Sequence, residues 1–300
     1  MDILWHLESI RTPFWNTFFE IITRLGEETP LIVVFCVVFW CINKRTGYLI
    51  GISFFFSALL VQGMKIIFRV PRPWVADPNF IPVQGAITEA TGYAFPSGHT
   101  QNAAAWLGAL GSQVKQNVVK FIFFFLAILV AFSRMYLGVH YLSDVIVALI
   151  ISFAVIFLAC KLLPKETASK KKELILPLIM LLFAAIVVIV ITYLYHNEIT
   201  EFRQLRDAAI ASGAAFGFAI GMYVERVYIQ FSVKTKNIPF QMLKFIMGVI
   251  GVVTFQEGLR ILGSGLIATG VRYFLIVIWI VIIYPLIIKK FFDSERIKSV

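Results

Sequence analysis

The chain has 300 residues, of which 59% are hydrophobic and only 15% charged, and its mean hydropathy is +0.85. An ordinary soluble domain is about a quarter charged, so this composition excludes a disordered, collagen-like, coiled-coil or disulfide-scaffold protein and leaves a polytopic membrane protein. The formal net charge of +10 argues for nucleic-acid binding only if the basic residues gather on one solvated face.

The first segment, residues 1–28, mixes Trp5, Phe14, Trp15, Phe18 and Phe19 with Glu8, Arg11, Glu20 and Arg24. That pattern predicts an amphipathic stretch in the membrane interface. It has no basic start before an apolar run and does not read as a signal peptide. A spanning helix needs about 20 mostly apolar residues. Runs of this kind fall at 29–43, 47–68, 97–114, 118–132, 141–163, 174–195, 207–223, 240–262 and 269–288. Several are short alone and need flanking residues or neighbouring helices to complete a crossing. Backbone groups in hydrocarbon must pair internally, so the expected fold is all-α: a polytopic transmembrane helical bundle.

Nine spans divide the charges unevenly. One side carries 17 basic residues, among them Lys44, Arg45, Lys120, the tract Lys170–Lys172, Lys244 and Lys289, with five acids. The net charge is then +12 on that side and −2 on the other. Loop Lys and Arg mark the cytoplasmic face, which places the N-terminus outside and the C-terminus inside. It also removes the nucleic-acid reading. Cys36, Cys41 and Cys160 all lie in apolar runs and read as buried thiols, with no spacing for a disulfide framework or a metal site.

The outer basic residues are concentrated. Lys65-Ile-Ile-Phe-Arg-Val-Pro-Arg72-Pro73 closes the second run, Pro96-Ser97-Gly98-His99 opens the third, and Ser133-Arg134 with His140 and Asp144 joins the fourth to the fifth. Ionisable groups at membrane depth are costly and point to function. Ser97 suits a helix N-cap, Gly98 allows close backbone approach, and a helix N-terminus is an anion site. His140 and Asp144, four apart, share a face if both lie on one helix, and a carboxylate on one imidazole nitrogen leaves the other available. Two histidines of this kind fit a nucleophile and a general acid. Lys65, Arg72 and Arg134 supply charge for phosphoryl oxygens. The implied chemistry is phosphoryl transfer with cations in place of a metal, and no cofactor or metal is expected.

These three segments resemble the signature of the type 2 phosphatidic acid phosphatase superfamily, K-x6-R-P, P-S-G-H and S-R-x5-H-x3-D, at all eleven specified residues. That superfamily includes lipid phosphate phosphatases, undecaprenyl-diphosphate phosphatases, glucose-6-phosphatases and vanadium haloperoxidases. The start, Ile10-Arg-Thr-Pro-Phe through Ile-Thr-Arg-Leu-Gly26, is also similar to that of bacterial members. The resemblance implies that His140 attacks phosphorus with Asp144 orienting it, that His99 protonates the leaving oxygen and later activates water, and that Lys65, Arg72, Ser97, Gly98 and Arg134 hold the phosphate.

The resulting expectation is an integral membrane phosphatase of a bacterial cytoplasmic membrane, acting at the extracytoplasmic face on undecaprenyl diphosphate, phosphatidic acid or phosphatidylglycerol phosphate. A phosphotransferase, a phosphatase for soluble esters and a transporter are the alternatives; the absence of an internal repeat argues against the last. In so apolar a chain a haloperoxidase activity is not expected. The chain divides into an interfacial segment (1–28), a phosphatase core (29–163) and C-terminal helices (174–300) without an assigned role. Gly213, Gly217 and Gly221 repeat at every fourth position and predict close helix packing or a homodimer contact. Glu257 and Arg260 read as a mutual pair, Arg69 as a snorkelling residue, and the loop 74–95 either as a lid or as a cover for helix ends.

Overall fold

The computed structural model describes residues 1–88, 90–164, 169–235 and 237–292. Glu89 of the loop and Lys165, Glu166, Lys236, Asp293, Glu295, Arg296 and Lys298 of the inner charge set lie outside the described residues. Everything regular among the described residues is helical.

Two short helices, α1 (Asp2–Ser9) and α2 (Pro13–Thr23), begin the chain. Thr12 caps α2, its Oγ1 accepting the Trp15 N–H at 3.4 Å, and Pro13 occupies the first turn, where its missing N–H costs nothing. α3 (Glu28–Val37) continues into a π-helical turn, Val38–Ile42. Only together, bent by 49°, are 13–26 and 28–42 long and apolar enough to cross a membrane. α4 (Lys44–Phe68) follows, then the loop with its single-turn helices α5 (Pro73–Ala76) and α6 (Gln84–Ile87). Next come α7 (Gly98–Gln113), α8 (Asn117–Tyr136) and α9 (Leu142–Leu162). The C-terminal part holds α10 (Lys170–His196), α11 (Phe202–Val224), α12 (Ile238–Gly258), α13 (Leu266–Ile278) and α14 (Tyr284–Phe291), with further π-helical turns at Glu225–Ile229 and Trp279–Ile283.

All nine predicted runs are helical, but among the described residues only seven helices are long and apolar enough to span alone. The clearest shortfall is α7, with 16 residues. Its length and composition follow from its surroundings: Ala103, Ala104, Ala105 and Ala109 are fully buried, and Gly108 and Gly111 admit Phe153, Ile156 and Phe124. A helix walled by protein rather than lipid needs small residues for close approach more than it needs hydropathy.

The chain forms two compact units. The first comprises Met1–Ile32, Ile52–Leu158 and Arg203–Asp207 and contains every motif segment. In it the buried faces of α1 and α2 (Leu4, Leu7, Phe19) join Phe80, Ala86, Met135, Tyr136, Leu137 and Val139 in one apolar cluster, while Phe14, Trp15 and Ile21 are exposed. The amphipathic start therefore packs directly over the turn that follows α8.

The second unit comprises Val33–Gly51, Ala159–Phe202 and Ala208–Val300. Its buried carboxylates are paired, as desolvation requires. Glu225 accepts from Lys44 Nζ at 2.9 Å, from the Tyr48 hydroxyl and from the Phe231 N–H at 3.2 Å, and Arg226 holds Glu173 through two bonds of 2.5 and 2.7 Å. Glu257 and Arg260 form the expected pair, 2.8 Å apart. The homodimer reading of Gly213, Gly217 and Gly221 needs correction. A Cβ at Gly213 would meet the Gly270 carbonyl oxygen at 2.0 Å, one at Gly217 the Phe274 carbonyl oxygen at 2.7 Å, and one at Gly221 the Val281 side chain at 2.8 Å. The small-residue face is taken up by α13 and the turn after it, in the same chain.

Candidate active site

Each motif segment ends or begins a helix, and that is how side chains distant in sequence meet. Lys65 lies in the last turn of α4 and Arg72 immediately before α5. Ser97 caps α7, its Oγ accepting the Thr100 N–H at 3.4 Å and the Thr100 hydroxyl at 3.0 Å. Both bonds use Ser97 as acceptor, so its own hydroxyl proton remains for another partner. Arg134 lies in the last turn of α8. The Ser97 N–H donates to the Asp144 carbonyl at 3.0 Å, tying the start of α7 to that of α9.

His140 and Asp144 meet, but not as residues on one helix. His140 precedes α9, and Asp144 stands in its first turn. There the Asp144 Oδ2 accepts the Tyr141 N–H three residues back, at 2.9 Å, the return half of a capping box. The same oxygen lies 3.1 Å from His140 Nδ1. The carboxylate thus caps the helix and orients the imidazole at once. The other ring nitrogen, Nε2, is engaged rather than open: Arg72 Nη1 lies 2.8 Å from it. A guanidinium only donates, so Nε2 accepts and Nδ1 carries the proton given to Asp144. The ring is neutral, and burial together with the charges of Arg72, Arg134 and Lys65 holds its pKa well below the ordinary histidine value of 6.5.

His99, in the first turn of α7, has a buried Nε2 that makes no hydrogen bond among the described residues. Its charge would act on His140, and those of Arg134, Arg72 and Lys65 act on it. Lys65, Arg72 and Arg134 are all buried, the last only 1% exposed, against one buried carboxylate, Asp144, among the described residues of the first unit. Such an excess of positive charge away from water is costly unless an anion joins it. At Gly98 a Cβ would meet no protein atom within 4 Å, so packing does not demand a glycine there. Arg69 points elsewhere: its Nε bonds the Ile66 carbonyl of its own helix end.

Several contacts went unread in the sequence. Arg134 Nη1 donates to Thr23 Oγ1 at 2.8 Å. Gly26 packs on the His99 backbone so closely that a Cβ would come within 2.6 Å of its carbonyl oxygen, and Asn102 Nδ2 donates to the Gly26 carbonyl at 3.0 Å. The stretch Thr23–Gly26 is the part of the N-terminal resemblance that carried the signal. In the loop, the carbonyls of Thr91 and Gly92 accept from Arg72 at 2.6 and 3.1 Å, and that of Tyr93 from Lys65 at 2.6 Å, while the Val139 carbonyl, in the turn before His140, accepts from Arg72 at 2.9 Å. The loop therefore does more than cover helix ends.

In a helical membrane protein, a carboxylate-held imidazole among buried cations fits the class of membrane phosphatases. Residues 46–168 match the PAP2 superfamily, and residues 209–296 match the PAP2 superfamily phosphatase transmembrane extension. The chain is 30% identical over 152 residues to phosphatidylglycerophosphatase B of Bacillus subtilis, covering 46% of this chain and 70% of that one. It is 27% identical over 192 residues to phosphatidylglycerophosphatase B of Escherichia coli, covering 50% and 74%. Among solved structures, the first transmembrane PAP2 type phosphatidylglycerolphosphate phosphatase from Bacillus subtilis aligns with TM-score 0.45 and 29% identity, over 53% of this chain and 82% of that one. The chain belongs to the PAP2 superfamily. It is an integral membrane phosphatase, and the C-terminal helices match a known extension of the family.

Proposed function

We propose that the protein dephosphorylates a membrane lipid by two successive displacements at His140. In the first, Nε2 attacks phosphorus while Asp144 holds the Nδ1 proton; the bond to the leaving oxygen breaks, and His99 gives that oxygen its proton. In the second, His99 takes a proton from water, whose oxygen attacks the phosphohistidine and releases phosphate. Lys65, Arg72 and Arg134 neutralise the equatorial oxygens, with donors from Ser97 and the backbone at Gly98. Arg72 leaves Nε2 for the arriving phosphate, a stronger acceptor than a neutral imidazole. Anion binding also offsets the positive charge around His99, which then takes up a proton more readily.

The observation that carries this reading is the bracketing of His140 by Asp144 at Nδ1 and Arg72 at Nε2. It supports the tautomer a nucleophile needs, with a cation suited to phosphate beside the nitrogen proposed to attack. Phosphatidylglycerol phosphate is the leading substrate, because the relatives named above are phosphatidylglycerophosphatases. Phosphatidic acid and undecaprenyl diphosphate remain in the same chemical class. The charge asymmetry of the loops favours a site open to the extracytoplasmic face of a bacterial cytoplasmic membrane. We further infer that 29–163 is the phosphatase core, with 1–28 and 174–300 appended to it.

The test is a substrate panel with the purified enzyme in detergent, comparing these three lipids with sugar phosphates. The lipids are expected to turn over and the sugar phosphates not. His140→Ala is expected to abolish turnover with folding intact, and labelled substrate in a His99→Ala background to accumulate phosphohistidine under a quench that avoids acid. Wild-type turnover by His140→Ala would overturn the assignment.

A further inference from the structure

Arg203–Asp207, in the first turns of α11, belong to the first compact unit and reach the loop that holds the cations. Asp207 Oδ2 accepts the Thr91 hydroxyl at 2.7 Å. Thr91, Gly92 and Tyr93 then present three successive carbonyls to Arg72 and Lys65. In extended backbone successive carbonyls point to opposite sides, so a turn is needed for three in a row to face these cations. Here the turn is made at Gly92, whose φ of +59° is a conformation that residues with a Cβ seldom adopt. Gly92 lies against the Gln204 carbonyl, 3.9 Å from where a Cβ would stand. Gln204 and Asp207, three apart, share one face of α11. The chain of contacts is continuous from α11 to the imidazole: Asp207 to Thr91, Thr91 to Arg72, Arg72 to His140.

We propose that Asp207 is a positioning residue for the phosphate site, acting through Thr91 to fix the carbonyls that set the plane of the Arg72 guanidinium. A β-branched side chain has few χ1 choices. Anchoring the Thr91 hydroxyl on a carboxylate therefore fixes the residue, and with it the carbonyl that Arg72 Nη2 meets. The charge of Asp207 also reaches Lys65 and Arg72, but at 30% side-chain exposure it is partly screened, so the hydrogen bond is the principal effect. This inference rests on the reading of Arg72 as a phosphate ligand, and it gives the first turns of α11, just before the matched extension, a part in the reaction.

The test uses the full-length enzyme in detergent with the best lipid of the panel. Asp207→Ala and Thr91→Val each should lower kcat/KM by ~10 to 100-fold, mainly in kcat, the range expected when a catalytic group is displaced by about an ångström. The double variant should lose no more than either single one, because both remove the same bond. Asp207→Asn keeps an acceptor oxygen and should stay within about threefold of wild type, a residual charge effect. Additive losses, a wild-type Asp207→Ala, or an Asp207→Asn as impaired as Asp207→Ala would each overturn the proposal. Should Asp207→Ala fold poorly, Thr91→Val and Asp207→Asn decide alone. His140→Ala in parallel separates the two readings: inactive beside a wild-type Asp207→Ala, it sinks only the positioning role; active, it sinks the underlying mechanism.

Discussion

His140 is held neutral by its surroundings, and this has a sign that can be measured. Its pKa in the folded protein lies well below 6.5, so an imidazole nucleophile stays unprotonated well into acid. The acid limb of kcat/KM, which reports the free enzyme, is therefore expected below pH 6.5 and not at it. Stability runs the other way. As pH falls through 6.5 the unfolded chain binds a proton that the folded one does not, so His140 lowers stability on acidification. Thermal unfolding between pH 7 and pH 5 should fall less steeply in His140→Gln than in wild type; equal slopes would contradict the burial argument. The motif residues around this histidine were legible because chemistry prescribes side-chain types at fixed local spacing. Thr91, Gly92 and Tyr93 were not, because they act through carbonyls, which every residue has. Asp207 and Thr23 were hidden for another reason: they reach their partners across 116 and 111 residues, and no local spacing records that.

At the scale of elements, helices were readable from apolar runs, whereas the partner of each helix was not. The glycines of α11 show the difference. Their fourfold spacing announces a close approach, and composition alone cannot say whether a second chain or the next helix makes it. Since the neighbour is α13 of the same chain, Gly213→Leu forces a side chain into the Gly270 backbone and should destabilise the fold by about 1–3 kcal/mol or more, as overpacking does. The unfolding midpoint in detergent should drop while the oligomeric state seen by light scattering stays that of wild type. A loss of oligomers with an unchanged midpoint would restore the dimer reading. α7 teaches the complementary lesson. Its apolar run was visible, but only the surrounding helices explain why it is short and rich in alanine.

At the scale of the whole molecule, length and composition were enough to require a helical membrane protein, and the charge asymmetry suggested its sidedness. Neither could say how the helices divide into two compact units. That division cuts through α3, α4, α9 and α11, so it follows packing and not chain order. The proposed reaction draws its positive charge from Lys65, Arg72 and Arg134, and activity is accordingly expected to survive EDTA. Complete loss of turnover restored only by a divalent ion would show that these cations do not suffice.

Arg72 Nη1 has a partner before substrate arrives, the imidazole Nε2. Under the proposed mechanism, substrate binding at that donor is a ligand exchange, in which a phosphate oxygen takes the place of a ring nitrogen, and phosphate departs by the reverse exchange. Nε and Nη2 stay on the carbonyls of Gly92 and Thr91 throughout, so the exchange proceeds without the guanidinium turning. Only the difference between two filled states then appears as affinity.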